Sequence, residues 1–312
     1  KMCLALNLEE MKAIKSFYEN PDLIKSRKDK GLFAYPTDVE LEVLAQTWSE
    51  HCKHKIFASK INYKNLETGK VEEIDSLYKS YIKKSTKEIE NSGVDWLVSV
   101  FSDNAGIVRF DLSIDLCIKV ETHNSPSALD PYGGAITGIL GVNRDILGCG
   151  LGAQPIANTN VFCLASKDLP NKIDPGLLPS GLMEPLELLK GVHKGVEDGG
   201  NKSGIPTVNG AMVFDSSYAG KPLVFCGTIG QLPAHLPDGR EGSLKGAKAG
   251  DLIVVSGGGV GADGIHGATF SSMELGEDSP ATAVQIGDPI TQKRVMDFML
   301  EARDKGLYTC VT

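Results

Sequence analysis

Apolar Leu8, Met11, Ile14 and Phe17 recur at every third position within residues 4–19, which predicts a small amphipathic helix. Residues 25–31, KSRKDKG, replace that pattern with charge and are expected to form a mobile connector. A second helix is predicted to start after Pro36. Thr37 and Glu40 have the spacing of a capping box, and Leu41, Leu44, Ala45 and Trp48 form its apolar stripe. His51 then falls near the C-terminal end of that helix. The partial negative charge there suits the clustered His51, Lys53, His54 and Lys55.

Beyond residue 96 the pattern becomes strand-like. WLVSVFS, IVRFDL and LCIKVET, within 96–122, read as strands, with a DNAG turn between the first two. Gly133 to Gly148 is apolar with Gly134, Gly138 and Gly141 inside it, which predicts a helix lying very close to another backbone. Residues 160–166 read as a strand, Glu184 to Gly195 as a helix, and 205–230 as further strands. A stretch of Pro, Gly and charge from Leu232 to Gly250 reads as a linker. The strand DLIVVSG and the GGVGADGIHGATFSS that follows it then open a second domain, and Asp288 to Lys305 reads as a helix. The final GLYTCVT reads as a buried strand that stops without a turn, the expectation for a piece of a longer protein. Strands and helices mix throughout, so the fold class is α/β to α+β.

Composition narrows the function. Of 312 residues, 41% are hydrophobic and 23% charged, a globular balance. A net charge of -8 argues against a general nucleic-acid binder, since phosphate binding needs an excess of Lys and Arg. No run approaches the ~18 apolar residues of a membrane span, and KMCLALNLEEM does not read as a secretory signal. Seven scattered cysteines without a C-x-x-C pair fit reduced thiols in a cytoplasm. The 35 glycines are clustered, which implies tight turns and close backbone approach.

Four stretches carry candidate chemistry. In LCIKVETHNSP, residues 116–126, alternation puts Leu116, Ile118, Val120 and Thr122 on one strand face and Cys117, Lys119, Glu121 and His123 on the other. That second face is either ordinary solvated charge or a site. In a site, Lys119 would hold a phosphate, Glu121 would hold Mg2+ and His123 would transfer a proton. Arg144 and Asp145 end an apolar segment; they are either a solvated helix end or an anion clamp beside a metal ligand. GVGADG, residues 259–264, matches G-x-G-x-x-G, but no convincing helix, strand and acidic residue follow it, so a turn-forming cluster is favoured. His51, Cys52 and His54 could suggest zinc, yet no second Cys or His pair completes a tetrahedral set. No G-x-x-x-x-G-K-[ST] occurs, so any ATP site is of another kind.

TWSEHCKHKIF, KVETHNSPSALDPYGGAITGILGVNRD, GIPTVNG, GADGIHGATFSS and VQIGDP occur in one order and at consistent spacing. Together they resemble the synthetase subunit family of phosphoribosylformylglycinamidine synthase, also called formylglycinamide ribonucleotide amidotransferase, from about residue 6 to the end. The resemblance implies linker helices and an active-site helix end over residues 1–54. It implies an aminoimidazole-ribonucleotide-synthetase-like N-terminal α/β domain over 55–232. The matching C-terminal α+β domain would begin at 235–312 and be truncated there.

It also implies an ATP-dependent ligase of purine biosynthesis. ATP phosphorylates the amide oxygen of formylglycinamide ribonucleotide, and ammonia displaces phosphate to give the amidine. His51 and His123 match catalytic positions, and His54 and Lys119 match ATP-contacting ones; small family members carry tyrosine where His54 stands. Glu121 and Asp145 match Mg2+ ligands. Thr122, His123, Asn124, Ser125, Arg144 and Gln285 match substrate contacts, although many members have histidine at the Ser125 position and tyrosine at the Gly199 position. The implied partners are a glutaminase subunit or domain supplying ammonia and a second, related half of the same protein. A chain carrying one half is expected to form a homodimer. Two other readings remain: another ATP-dependent ligase or kinase of the same superfamily, and a non-catalytic nucleotide-binding scaffold.

Overall fold

The computed structural model describes residues 4–166, 183–259, 261, 262, 264–272, 275 and 286–312. The chain divides into two compact units, Lys1–Ser92 with Ile265–Glu274, and Gly93–Gly264 with Leu275–Thr312.

The first unit begins with three helices, α1 (Leu8–Tyr18), α2 (Pro21–Asp29) and α3 (Asp38–Thr47). The capping box at Thr37 and Glu40 forms as expected. The expected mobile connector at 25–31 is instead mostly α2. Asn20 caps it by accepting from the Asp22 and Leu23 amides, and Pro21 starts its first turn. The charge run is ordered because Arg27 turns inward and is 8% exposed. Its guanidinium donates to both Glu40 carboxylate oxygens at 2.6 and 2.9 Å and to the Phe33 carbonyl at 2.7 Å. It also lies over the Tyr18 ring, so one side chain ties α1, α2 and α3 together.

That pair gives the unit an acid-sensitive contact. Arg27, together with the Thr37 amide and hydroxyl, pulls the Glu40 carboxyl down from 4.5 to about 2. A carboxyl depressed on folding stabilises the fold above its unfolded pKa and ceases to do so as pH falls through its folded value. Thermal melts followed by circular dichroism should therefore show a contribution from Glu40 that is full above about pH 4.5 and fades toward pH 2. Glu40→Gln should lower the melting temperature at pH 7 and flatten this part of the acid response. A variant melting like wild type at both pH 7 and pH 3 would refute this.

The unit continues with an antiparallel hairpin, β1 (Lys60–Lys64) and β2 (Val71–Asp75), a π-helical stretch at Tyr78–Lys83 and α4 (Lys84–Asn91).

The second unit is built on six strands. They are β3 (Leu97–Ser99), β4 (Gly106–Arg109), β5 (Ile114–Thr122), β6 (Gln154–Leu164), β7 (Thr207–Phe214) and β8 (Leu223–Pro233). Their order is β3-β4-β5-β8-β6-β7. All neighbours are antiparallel except β6 and β7. Parallel strands need a crossover, and α7 (Pro185–Ser203) lies between them in sequence. Before β6 come α5 (Asn124–Leu129) and α6 (Pro131–Leu147).

Helices α6 and α7 bury Ala135, Ile136, Ile139, Val192 and Val196 with Leu164, Val224 and Cys226 of the sheet. Burial pushes the Cys226 thiol up to about 12, so it acts as a small apolar core residue. The predicted face alternation in β5 holds, but the apolar face is the uncovered one. Cys117 is 2% exposed, on the side of α6, whereas Ile118 and Val120 are 52% and 45% exposed.

Two other predicted strands differ. In DLIVVSG, Leu252, Ile253, Val254 and Val255 are all more than 80% exposed, and none of the described residues pairs with them in a ladder. An apolar run becomes a strand only where a neighbour takes its backbone groups. GLYTCVT is irregular and follows α9 (Pro289–Asp304) after the short α8 (Gly267–Ser271). Side chains hold that segment: Arg240 donates to the Tyr308 carbonyl and Tyr308 Oη donates to the Leu151 carbonyl. Among the described residues no helix is long and apolar enough to cross a membrane.

Candidate active site

In the second unit, β5 and α6 bring three of the sequence-predicted residues together. Lys119 and Glu121 are two apart on one face of β5, and Asp145 comes from the last turn of α6. Lys119 Nζ lies 3.0 Å from Glu121 Oε1 and 3.3 Å from Asp145 Oδ2. Burial disfavours the Lys119 ammonium, but the two carboxylates more than offset this and raise its pKa. Two carboxylates thus converge on one cationic point. Mg2+ takes one or two carboxylates and completes its shell with water and phosphate oxygens, so the donor set suits it.

The position of Asp145 depends on how α6 is anchored. Asn143 sits on the same turn and is buried against the sheet. Its Oδ1 accepts from Asn158 Nδ2 at 3.0 Å and from Thr228 Oγ1 at 2.8 Å. This polar cluster, with all three residues no more than 3% exposed, fixes the rotation of α6 and so the direction of its neighbours Arg144 and Asp145. Arg144 is exposed at that helix end.

His123 lies where β5 ends and α5 begins. Its amide donates to the Val224 carbonyl at 2.9 Å, and its carbonyl accepts from Ser127 Oγ at 2.6 Å. Its Nδ1 is 2.5 Å from the Gly134 carbonyl. A carbonyl only accepts, so Nδ1 carries the proton, and in the neutral ring Nε2 holds the lone pair of a base. Gly138 makes this placement possible: a Cβ there would lie 2.9 Å from His123 Cβ.

The remaining substrate candidates differ in presentation. Thr122 is exposed opposite Phe225. Asn124 spends its Oδ1 on the Val224 amide at 2.8 Å, which joins α5 to β8. Ser125 is 2% exposed, within α5. Gln285 lies outside the described residues.

His51 and His54 belong to the first unit. Helix α3 ends at Thr47, so His51 sits in the turn after it. Its amide donates to Ser272 Oγ at 3.1 Å. Glu50 closes this loop by accepting from the Ile56 and Phe57 amides. His54 has φ 55°, a left-handed conformation uncommon outside glycine. It meets Phe57 edge-to-face with centroids 6.0 Å apart. Lys55 is paired with Glu10 at 2.6 Å, which gives it a structural role. Among the described residues no group of three or more His, Cys, Asp and Glu could hold a metal.

Sequence reasoning read the DNAG stretch only as a turn and the region around Lys245 only as a linker. The structure brings Asn104 beside Asp145, its Nδ2 donating to Asp145 Oδ1 at 3.3 Å, and sets Lys245 at the end of α6, where its Nζ donates to the Gly148 carbonyl at 2.6 Å. The Asx character of Asp-Asn was the available signal.

Residues 102–232 match the family described as AIR synthase related protein, N-terminal domain, and residues 248–312 match the corresponding C-terminal domain. Residues 1–55 match the formylglycinamide ribonucleotide amidotransferase linker domain. Similar proteins include the phosphoribosylformylglycinamidine synthase subunit PurL of Thermoplasma acidophilum, 36% identical over 98% of this chain and 34% of its own length. The PurL subunit of Aquifex aeolicus is 34% identical over 89% of this chain and 32% of its own length. Among solved structures, Thermotoga maritima PurL complexed with FGAR matches with a TM-score of 0.60 and 30% identity, covering 91% of this chain and 37% of that one. The same PurL complexed with ATP matches with a TM-score of 0.55 and 27% identity over 91% and 35%. The PurLQS structure from that organism matches with a TM-score of 0.55 and 26% identity over 93% and 36%. This chain therefore spans about a third of the length of these curated relatives. The two AIR synthase related domain models thus match this chain in order, behind a matching formylglycinamide ribonucleotide amidotransferase linker segment.

Proposed function

We propose that the chain carries the ATP-using half-site of a formylglycinamide ribonucleotide amidotransferase, acting in the cytoplasm in purine biosynthesis. The observation that carries this reading is the convergence of Lys119, Glu121 and Asp145 beside His123 at the end of β5. Support also comes from relatives solved with FGAR and with ATP. In the reaction, the substrate amide oxygen attacks the γ-phosphorus of ATP and ADP leaves. Ammonia then adds to the activated carbon, loses a proton, and phosphate departs to leave the amidine.

Phosphoryl transfer needs positioned charge more than covalent chemistry. Lys119 supplies a cation that exchanges its carboxylate contacts for phosphate oxygens. Glu121 and Asp145 would hold Mg2+, which neutralises phosphate charge when bound. His123 Nε2 accepts the proton that ammonia loses. His51 is assigned a catalytic role and His54 an ATP contact. Thr122, Asn124, Ser125, Arg144 and Gln285 are assigned to the ribonucleotide. Ammonia comes from a glutaminase subunit or domain, a reading helped by the PurLQS relative.

The test is ADP release by the intact protein with Mg-ATP and ammonium, with and without formylglycinamide ribonucleotide. Release that depends on the ribonucleotide supports the reading, and release indifferent to it rejects it.

The uncovered sheet face, with Ile118, Val120, Phe225 and Ile229, is proposed to seat a second synthetase-like half. A stretch this apolar is a partner surface by its chemistry. Sedimentation of this chain alone should show a dimer or larger species; one monomeric boundary would argue the opposite.

A further inference from the structure

We infer that Asn104 and Lys245 are positioning residues that aim the Asp145 carboxylate at the cation it would hold, an inference that rests on the function proposed above. Lys245 is three-quarters or more withdrawn from solvent, with an 18% exposed side chain facing Asp103 at 6%. Its ammonium lies 2.5 Å from Asp103 Oδ1, 2.6 Å from the Gly148 carbonyl, 3.0 Å from the Val311 carbonyl and 3.4 Å from Asn104 Oδ1. Asp103 in turn accepts from the Gly150 amide at 2.8 Å. One ion pair thus clamps the end of α6 to the turn that carries Asn104.

The same ammonium decides which way the Asn104 amide points. A lysine only donates, so Oδ1 must face it, and Thr312 Oγ1 also lies 3.4 Å from that oxygen. The NH2 group is left on the opposite side, where it donates to Asp145 Oδ1 at 3.3 Å. Asp145 is then held at both oxygens, by Asn104 on Oδ1 and by Lys119 on Oδ2. When Lys119 turns to a phosphate, the Asn104 donor still holds Oδ1 and keeps the carboxylate oriented. Outer partners of ligating carboxylates tune metal affinity in this manner, and their loss costs about 10–100-fold.

The experiment compares wild type, Asn104→Ala, Asn104→Asp and Asp145→Asn in the intact protein. It measures Mn2+ binding in the presence of ATP by electron paramagnetic resonance, the melting temperature, and steady-state constants. Asn104→Asp keeps the side-chain shape while replacing the donor by an acceptor, so it serves if the alanine variant does not fold. Both Asn104 variants should weaken Mn2+ binding about 10–100-fold, with a matching rise in the cation concentration needed for ADP release. The KM for the ribonucleotide should stay within about threefold of wild type, which a general structural defect would not spare. Mn2+ affinity within twofold of wild type in a folded Asn104 variant, while Asp145→Asn loses it, overturns the positioning role alone. Unchanged Mn2+ binding in Asp145→Asn overturns both this role and the cation site it serves.

Discussion

Replacing His123 by alanine in the intact protein is expected to lower ribonucleotide-dependent ADP release by roughly 10²- to 10⁴-fold, the usual size of a general-base contribution. The KM for ATP should change by no more than about threefold, because Lys119, Glu121 and Asp145, the groups proposed to face the phosphates, are untouched. The argument depends on how little else the substitution disturbs. The His123 backbone is held by the Val224 carbonyl and by Ser127 Oγ, and neither bond uses the imidazole. The ring contributes the Nδ1 contact to the Gly134 carbonyl, which fixes the tautomer and leaves Nε2 as the nitrogen proposed to act as the base. His123→Asn, which can keep a donor toward that carbonyl but has no basic nitrogen, should be as inactive as alanine. Activity within tenfold of wild type in both variants would remove His123 from the proton transfer and leave it a packing residue.

The parts of the fold and site that depend on local spacing were legible. Thr37 and Glu40 are three apart, and a capping box is a three-residue device. Lys119 and Glu121 are two apart, and a strand puts such residues on one face. What the sequence could not reveal was which face of β5 the helices cover. Ile118 and Val120 look like core by composition, yet they are exposed while the face bearing Lys119 turns toward α6. Hydrophobicity marks a surface that needs covering without saying by what. The misreading of residues 25–31 has a related cause. Arg27 looks solvated until its partner Glu40, thirteen positions on, is placed against it. The contact from Asn104 to Asp145 spans 41 positions and cannot be inferred from periodicity at all.

Glycine shows the same limit, and it supports the second large effect. Gly195→Ala is expected to destabilise the second unit by about 2 kcal/mol, taking overpacking at the upper end of ~1–3 kcal/mol against a gain of ~1 kcal/mol in helix propensity. Gly191, Gly195 and Gly199 lie four apart on one face of α7, which lets α6 approach. A Cβ at Gly195 would lie 2.5 Å from the Tyr132 carbonyl oxygen and 2.9 Å from the Ile136 amide nitrogen. Both are backbone atoms of α6 and cannot turn aside, so the helices must separate and the core around Ile136, Ile139 and Val192 must loosen. The expected fall in melting temperature is about 4–8 °C for a unit of this size. Gly141 carries the internal contrast. The sequence puts it in the same apolar glycine-rich helix as Gly134 and Gly138, yet a Cβ there meets nothing within 4 Å. Gly141→Ala should therefore be neutral or stabilising by up to ~1 kcal/mol, since only the propensity term acts. Melting curves of the two variants beside wild type decide the matter. If Gly195→Ala melts no lower than Gly141→Ala, close approach of α7 to α6 is not what those glycines provide. If it melts lower and also weakens ATP-dependent turnover, the strain has been carried along α6 to Asp145 at its far end.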